Sequence, residues 1–403
     1  MFVEILIAVL AGILTGTFTG LTPGIHINLV SVIVVASSVF LLAYIPPIAI
    51  GSFIIAMAIT HTFLDAIPGV YLGAPDAGQE LNILPGHRML IKGQGHNAVK
   101  LNTIGSFFAV LLSLVLFPLF ILSMVFLYPF ARKIIVFVLI AAVLYLIWRE
   151  NSAAKKAAAL TVFILAGVFS VLVFNLPGLK QPLFLLLSGL FGFSILLVSL
   201  AQQTKVPAQN VSEELDIPKK NIAKATFAAT GFGFIAAFLP GIGSSESAIV
   251  ASTTTGNIGD EGFLVLVGGL NTANMLISVC SIYAIDKARN GAIIAINKII
   301  GLIDLKTVLV FAGTALVAAG ISVVLCLYVS KLFCKLIAKV DYRILIIAIL
   351  VFITALGFYF DSFLGLFVLA VSTCIGIAAS MLGIGKNHLM GCLIIPVLFY
   401  FLI

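Results

Sequence analysis

Apolar runs of about 17–25 residues, long enough to cross a hydrocarbon core as helices, recur along the whole chain between short polar interruptions. The pattern predicts spans over 2–20, 26–46, 48–67, 104–127, 134–148, 157–175, 183–200, 226–250 (broken), 262–284, 307–330, 343–359, 362–379 and 388–403. A membrane β-barrel would show short alternating segments instead. The predicted fold is all-α: a polytopic membrane protein of about twelve to thirteen membrane segments, some only half-spanning. Pro46-Pro47 separates the second and third spans. The first run has no basic leader and no small-residue cleavage site, so a retained helix is expected.

Two apolar runs are interrupted in the same way. Leu239-Pro240-Gly241-Ile242-Gly243-Ser244-Ser245-Glu246-Ser247 combines a missing backbone donor, two glycines and a carboxylate among hydroxyls. Gly20-Leu21-Thr22-Pro23-Gly24-Ile25-His26-Ile27-Asn28 repeats the Pro-Gly-Ile core. In lipid an unwound backbone is satisfied only by protein or by a water-lined cavity. Broken helices in corresponding places of two halves point to a transporter binding site.

The halves correspond beyond these breaks. His61-Thr62 matches Asn271-Thr272, and the polar insertion 72–103 matches 286–306. The offsets are about 210 to 217 residues, in order along the chain. Segment 201–225 is polar and mixed in charge, which divides the chain into a first membrane repeat (1–200), a linker (201–225) and a second membrane repeat (226–403). Lys205, Lys219, Lys220 and Lys224 put the linker in the cytoplasm. Counting spans from there puts 72–103 inside and 286–306 outside, so the repeats are expected to be inverted.

Composition agrees. The chain has 403 residues, 62% hydrophobic and 9% charged, and a mean hydropathy of +1.26. The net charge of +7 sits mostly in loops, where membrane orientation accounts for it without a nucleic-acid partner. The five cysteines lie in or beside apolar runs with no metal-type spacing. The chain carries no phosphate-cradling loop to bind ATP. Gly259-Asp260 resembles the Gly-Asp pair of intramembrane aspartyl proteases, but a partner aspartate deep in another span is missing. A non-enzymatic protein of the cell membrane is expected.

Half-helix N-termini suit an anion, and carbonyls freed by a break suit a cation. The candidate substrate-binding residues are Thr22, Pro23, Gly24, Asn28, His61, Thr62, Pro240, Gly241, Gly243, Ser244, Ser245 and Asn271. Glu246, His26 and Asp65 are the candidates for ion coupling, since intramembrane ionisable groups are costly to keep for packing alone. The alternatives are a structural ion pair for Glu246, an interfacial carboxylate for Asp65 and simple hydrogen bonding for His26. Arg88, Lys92, His96 and Lys100 recur every four residues, so one helix would present them on one face. Gly93 and Gly95 predict that such a helix is short or interrupted. Arg88, Lys92 and His96 are candidates for gating or anion contact; a plain basic loop is the alternative.

At these residues the chain resembles the large membrane subunit of tripartite tricarboxylate transporters, as a divergent and shortened member. The resemblance rests on Gly12 through Pro23-Gly24, Ile67-Pro68-Gly69, Lys92-Gly93-Gln94, Gly231 through Gly243, and Asn271. Ala284-Ile285-Asp286 stands where that family has a further Pro-Gly. The resemblance implies ion-driven import of a small carboxylate, coupled to H⁺ or Na⁺, with no other cofactor. It also implies a solute-binding protein and a small membrane subunit as partners. The paired Pro-Gly layout is similar as well to polyprenyl-phosphate translocases, whose substrate is a lipid phosphate.

Overall fold

The computed structural model describes residues 1–22, 27–73, 81, 83–201, 207–211, 214–215, 217–238, 243–286, 290–337 and 342–402. Every regular element among them is a helix. The first half comprises α1 (Phe2–Leu21), α2 (Ile27–Ala36), α3 (Ser38–Leu41), α4 (Pro47–Leu64), α5 (Ala66–Leu72), α6 (Ile83–Ile91) and α7 (Gly95–Trp148). Then come α8 (Ala153–Asn175), α9 (Pro182–Leu187), a π-helix (Ser188–Phe193) and α10 (Ser194–Ala201). The second half has α11 (Lys219–Phe238), α12 (Ser244–Thr255), α13 (Gly259–Ile285), α14 (Gly291–Ile300) and α15 (Leu305–Ile337). It ends with α16 (Tyr342–Met381), a 3₁₀ turn (Lys386–Met390) and α17 (Gly391–Leu402). Seven helical stretches among the described residues are long and apolar enough to cross a membrane, so this is a multi-pass membrane protein.

Several predicted boundaries move. The span predicted over 26–46 is instead a ten-residue helix, α2, and a single turn, α3. At about 1.5 Å per residue, α2 covers only half a bilayer core. Its helix stops at Ser37, whose φ of −89° and ψ of 1° leave the helical region. The two spans predicted over 104–127 and 134–148 form one continuous helix, α7, of 54 residues. Arg132-Lys133 are polar, but polarity alone does not break a helix, and the backbone runs through them. Helix α11 begins at Lys219, inside the predicted linker. The spans 343–359 and 362–379 do separate, at Ser362, where φ is 52° and ψ is −145°. Asp361 beside that turn accepts backbone N–H bonds from Lys180 and Gln181, tying the turn to the start of α9.

Helices α4 and α13 form the centre. In the windows around them 83% and 89% of residues are buried, against 28–44% for the other long spans. Helix α1 packs along α4, and α11 packs along α13. Across the molecule α13 lies on α7, and α4 lies on α15. These contacts are close because small residues sit at the crossings. A Cβ on Gly12 or Gly16 of α1 would collide with Phe53 O or Met57 O of α4. One on Gly105 of α7 would collide with Val265 O of α13. In lipid, where apolar burial does not drive helices together, such close approach supplies the dispersion contact.

The C-terminal segments form a flank of their own. Helix α17 packs on α8, and α16 packs on α9, the π-helix and α10. Glu150, in the loop before α8, accepts from Gly385 N at 3.3 Å and bonds His388 Nε2 at 3.0 Å. Partial burial raises the Glu150 carboxyl, but the bonds from His388 and Gly385 outweigh it and hold the group below the usual carboxylate range.

The glycine crossings give a direct test. Gly16→Val should lower stability by about 1–3 kcal/mol, the cost of overpacking a tight contact. Gly231→Ala, with open space around its Cα, should change little. Thermal unfolding of the purified variants in detergent distinguishes the two.

Candidate functional site

Helices α4 and α13 are apolar over most of their length, yet they meet at polar residues. Asp65, at the C-terminal end of α4, is 1% exposed. Its Oδ2 accepts from Asn271 Nδ2 of α13 at 3.1 Å. Asn271 Oδ1 accepts in turn from Ser244 Oγ, 3.3 Å away on the first turn of α12. Asn274 Nδ2, one turn further along α13, donates to Ser244 Oγ at 3.1 Å. One turn toward the N-terminus of Asp65, Thr62 Oγ1 donates to Ile59 O at 2.8 Å and accepts from Thr272 Oγ1 at 3.0 Å. His61 Nδ1 bonds Thr19 Oγ1 of α1 at 3.0 Å.

The local sequence explains this placement. A hydroxyl in a buried helix can return its proton to a carbonyl three or four residues back, as Thr62 does to Ile59 O, and keep its oxygen as an acceptor. Asn271 supplies a donor to Asp65 and an acceptor to Ser244 from one side chain, so it closes the chain of bonds. The result is a buried carboxylate, two amides and hydroxyl groups shared by three helices. Among the described residues no cluster of three or more His, Cys, Asp or Glu could hold a metal ion. The network offers carboxylate and hydroxyl oxygens to a small cation or proton, and amide and hydroxyl hydrogens to an anion.

The candidate residues therefore divide. Thr62, Asp65, Ser244 and Asn271 are brought together, with His61 beside them on α4. Ser245 is buried next to Ser244, and Gly243 is exposed just ahead of α12. Thr22 Oγ1 is returned to its own helix, to Phe18 O at 2.8 Å. Asn28 lies against α14, where its side chain covers Gly291. Pro23, Gly24, His26, Pro240 and Gly241 lie outside the described residues. Glu246 belongs to the first turns of α12, with its side chain outside the described set.

The basic series does not share one face. Helix α6 ends at Ile91 and α7 starts at Gly95, with Gly93 between them at φ +78°. That left-handed turn suits glycine. Arg88 is exposed and pairs with Asp260 at 2.8 Å. Lys92 is exposed on the turn. His96 is buried, with Nδ1 2.9 Å from Ser330 Oγ. Residues of the linker hold the turn: Gln209 Nε2 donates to Leu90 O at 3.0 Å, its Oε1 accepts from Gly95 N at 2.9 Å, and Asn210 N donates to Gly93 O at 2.8 Å. Beside it a cavity of about 630 Å³ is lined by Gln94, Asn97, Glu214 and Glu261, among others.

Three participants went unnamed among the candidates: Thr19, Thr272 and Asn274. Thr272 carried a signal, since Thr62 and Thr272 occupy matching places in the two halves. Thr19 and Asn274 carried none, because their partners come from other helices.

The polar network buried where the central helices of this all-α, multi-pass membrane protein meet is a candidate functional site. The comparison with known families makes this specific. The tripartite tricarboxylate transporter TctA family model matches residues 6–391, and the chain belongs to that family. It is a transporter family, whose members work with a small membrane subunit and a solute-binding receptor. The chain is also 29% identical over 393 residues to an uncharacterized protein of Methanocaldococcus jannaschii, covering 95% of each chain. No solved structure gives a significant match.

Asn271→Leu should cost about 1–3 kcal/mol, because it removes the donor to a buried carboxylate. Thr272→Val, which keeps its shape, should cost about 1 kcal/mol or less. Thermal unfolding of both in one detergent checks the order.

Proposed function

We propose that this chain is the translocating subunit of a secondary transporter in the cell membrane, moving a small carboxylate under an H⁺ or Na⁺ gradient. The observation that carries the reading is the buried Asp65–Asn271–Ser244 chain of hydrogen bonds, which joins α4, α13 and α12. The start of α12, with Ser244 and Ser245, and Asn274 of α13 beside it present donors to the carboxylate of the substrate. Asp65 and the Thr62 oxygen take the coupling ion, with Glu246 and His26 as further coupling groups. The Pro23-Gly24 and Pro240-Gly241 pairs, read from the sequence as helix breaks, are the proposed source of further backbone groups for the substrate. Lys92, on its exposed turn beside the linker, meets the anion on the cytoplasmic side. A solute-binding protein delivers the substrate, and a small membrane subunit completes the complex.

In this reading the two halves are inverted repeats. Two features support it. Helices α1, α2, α4, α6 and α7 follow one another as α11, α12, α13, α14 and α15 do, and the central helix of each half packs on the long helix of the other. Thr62 and Thr272, equivalent by sequence, touch each other at 3.0 Å. A two-fold axis between the halves brings equivalent residues together in this way.

Proteoliposomes carrying this chain with its two partner subunits test the reading. Uptake of labelled di- and tricarboxylates should be saturable and should collapse with the ion gradient. Asp65→Asn should lower gradient-driven uptake by about tenfold or more, a loss of about 1.4 kcal/mol or more in the driven step, with the unfolding temperature nearly kept. Glu246→Gln should reduce uptake or its pH dependence. Full gradient-driven uptake in Asp65→Asn, or flux of a polyprenyl phosphate with none of any carboxylate, overturns the reading.

A further inference from the structure

Helix α15 carries a buried polar face. Ser322, Cys326, Ser330 and Cys334 recur every four residues, and all four are buried. Each meets a polar atom of the first half. Ser322 Oγ donates to Thr60 Oγ1 of α4 at 3.0 Å. Cys326 Sγ donates at 3.2 Å to Phe63 O, on the turn of α4 that leads into Asp65. It accepts from Thr103 Oγ1 of α7 at 3.3 Å. Ser330 Oγ lies 3.1 Å from Tyr71 Oη of α5 and 2.9 Å from His96 Nδ1 at the start of α7. Tyr71 Oη also lies 3.0 Å from Cys334 Sγ.

These groups form a line between the Asp65 network and the α6–α7 turn. Cys326 lies within reach of the charge of Asp65, and Tyr71 within reach of Cys326. One helical turn, about 5–6 Å between Cβ atoms, separates Cys326 from Ser330, and rotation of the two side chains spans it. Ser330 joins Tyr71 to His96. At the far end Lys331 is exposed, and its charge and that of Lys100 reach His96. Holding α15 in place needs only small hydroxyl residues, the usual glue between membrane helices. A phenol and an imidazole, 1% and 3% exposed, are larger polar groups to enclose. Hydroxyl, thiol, phenol and neutral imidazole share one property: each can accept a hydrogen bond and donate one.

We propose that this line is the route by which a proton leaves Asp65 for the cytoplasm, and hence that the coupling ion is H⁺. The inference rests on the reading of Asp65 as the coupling group. On release the Asp65 carboxyl gives its proton to the line at Cys326. Each group takes one proton and passes another on, from Cys326 through Tyr71 and Ser330 to His96. His96 accepts on one ring nitrogen and gives a proton from the other to water at the turn. Every group of the line ends in the protonation state in which it began, and Asp65 is left ionised. The route follows α15, whereas the donors proposed for the substrate belong to α12 and α13. Proton and substrate therefore leave by separate paths.

Two measurements test this, and the first needs no substrate. In nanodiscs holding the full chain, a downward pH jump should raise a protonated-carboxyl infrared band that Asp65→Asn lacks. Ser330→Ala should slow its rise at least about tenfold and keep its final amplitude. Ser330→Cys, which restores a donor and an acceptor, should recover most of the rate. Equal rates in Ser330→Ala and wild type, equal slowing in Ser330→Cys, or a band absent at every pH overturns the proposal. The second measurement uses proteoliposomes with both partner subunits. Wild-type uptake of a labelled carboxylate should acidify the interior, and Ser330→Ala should lower net uptake about tenfold. Carboxylate exchange should survive in Ser330→Ala, since exchange requires no release of the proton. Loss of exchange together with net uptake overturns the relay. Uptake driven by Na⁺ with no acidification overturns it as well and leaves the transport reading standing. No carboxylate movement in the wild type overturns the transport reading, and the infrared rates then decide the route by themselves.

Discussion

The constraint on which the structure depends is the need to satisfy polar groups buried between helices. The Asp65 carboxylate is withdrawn from water and takes a hydrogen bond from Asn271. In such surroundings a polar group left unmade costs more than a formed bond returns. The bond therefore fixes more than its own two side chains: α4 and α13 must keep one register for Asp65, Asn271 and the Thr62–Thr272 pair to be satisfied together.

Packing around this centre follows from what is missing. Gly12, Gly16 and Gly105 let backbones meet backbones, and the resulting contact replaces the hydrophobic drive that lipid removes. Most long spans turn large apolar side chains outward, as α1 does with Phe2, Ile7, Leu14 and Phe18. The inverse holds for α4 and α13, which are buried nearly all round. A helix apolar on every side and enclosed by others can carry polar residues only where a partner meets them.

The peripheral elements obey the same rule with different groups. Asp361 receives the backbone N–H groups at the start of α9. Gln209 and Asn210, from a polar connecting segment, bond to Leu90 O, Gly95 N and Gly93 O at the α6–α7 turn. Lys386 obeys it least: it is a buried lysine whose Nζ donates to Ser194 Oγ, with no ion-pair partner among the described residues.

The amino-acid sequence by itself determined the membrane class, the all-α fold and the family. Run length and composition decide whether a segment lies in lipid, and those are properties of the chain alone. It also marked His61-Thr62, Asp65, Ser244 and Asn271, because polar residues in apolar helices stand out without any structure. It did not determine where helices stop. The span predicted over 26–46 divides at Ser37, and α7 runs through Arg132-Lys133, because backbone hydrogen bonding and neighbouring helices settle those points. Nor could it reveal that Arg88 faces Asp260 while His96 faces Ser330, since a spacing of four residues holds only within one unbroken helix. Thr19, Asn274 and Lys386 became legible only in three dimensions. Their significance lies in partners that are distant along the chain, and only the tertiary structure brings those partners within hydrogen-bonding distance.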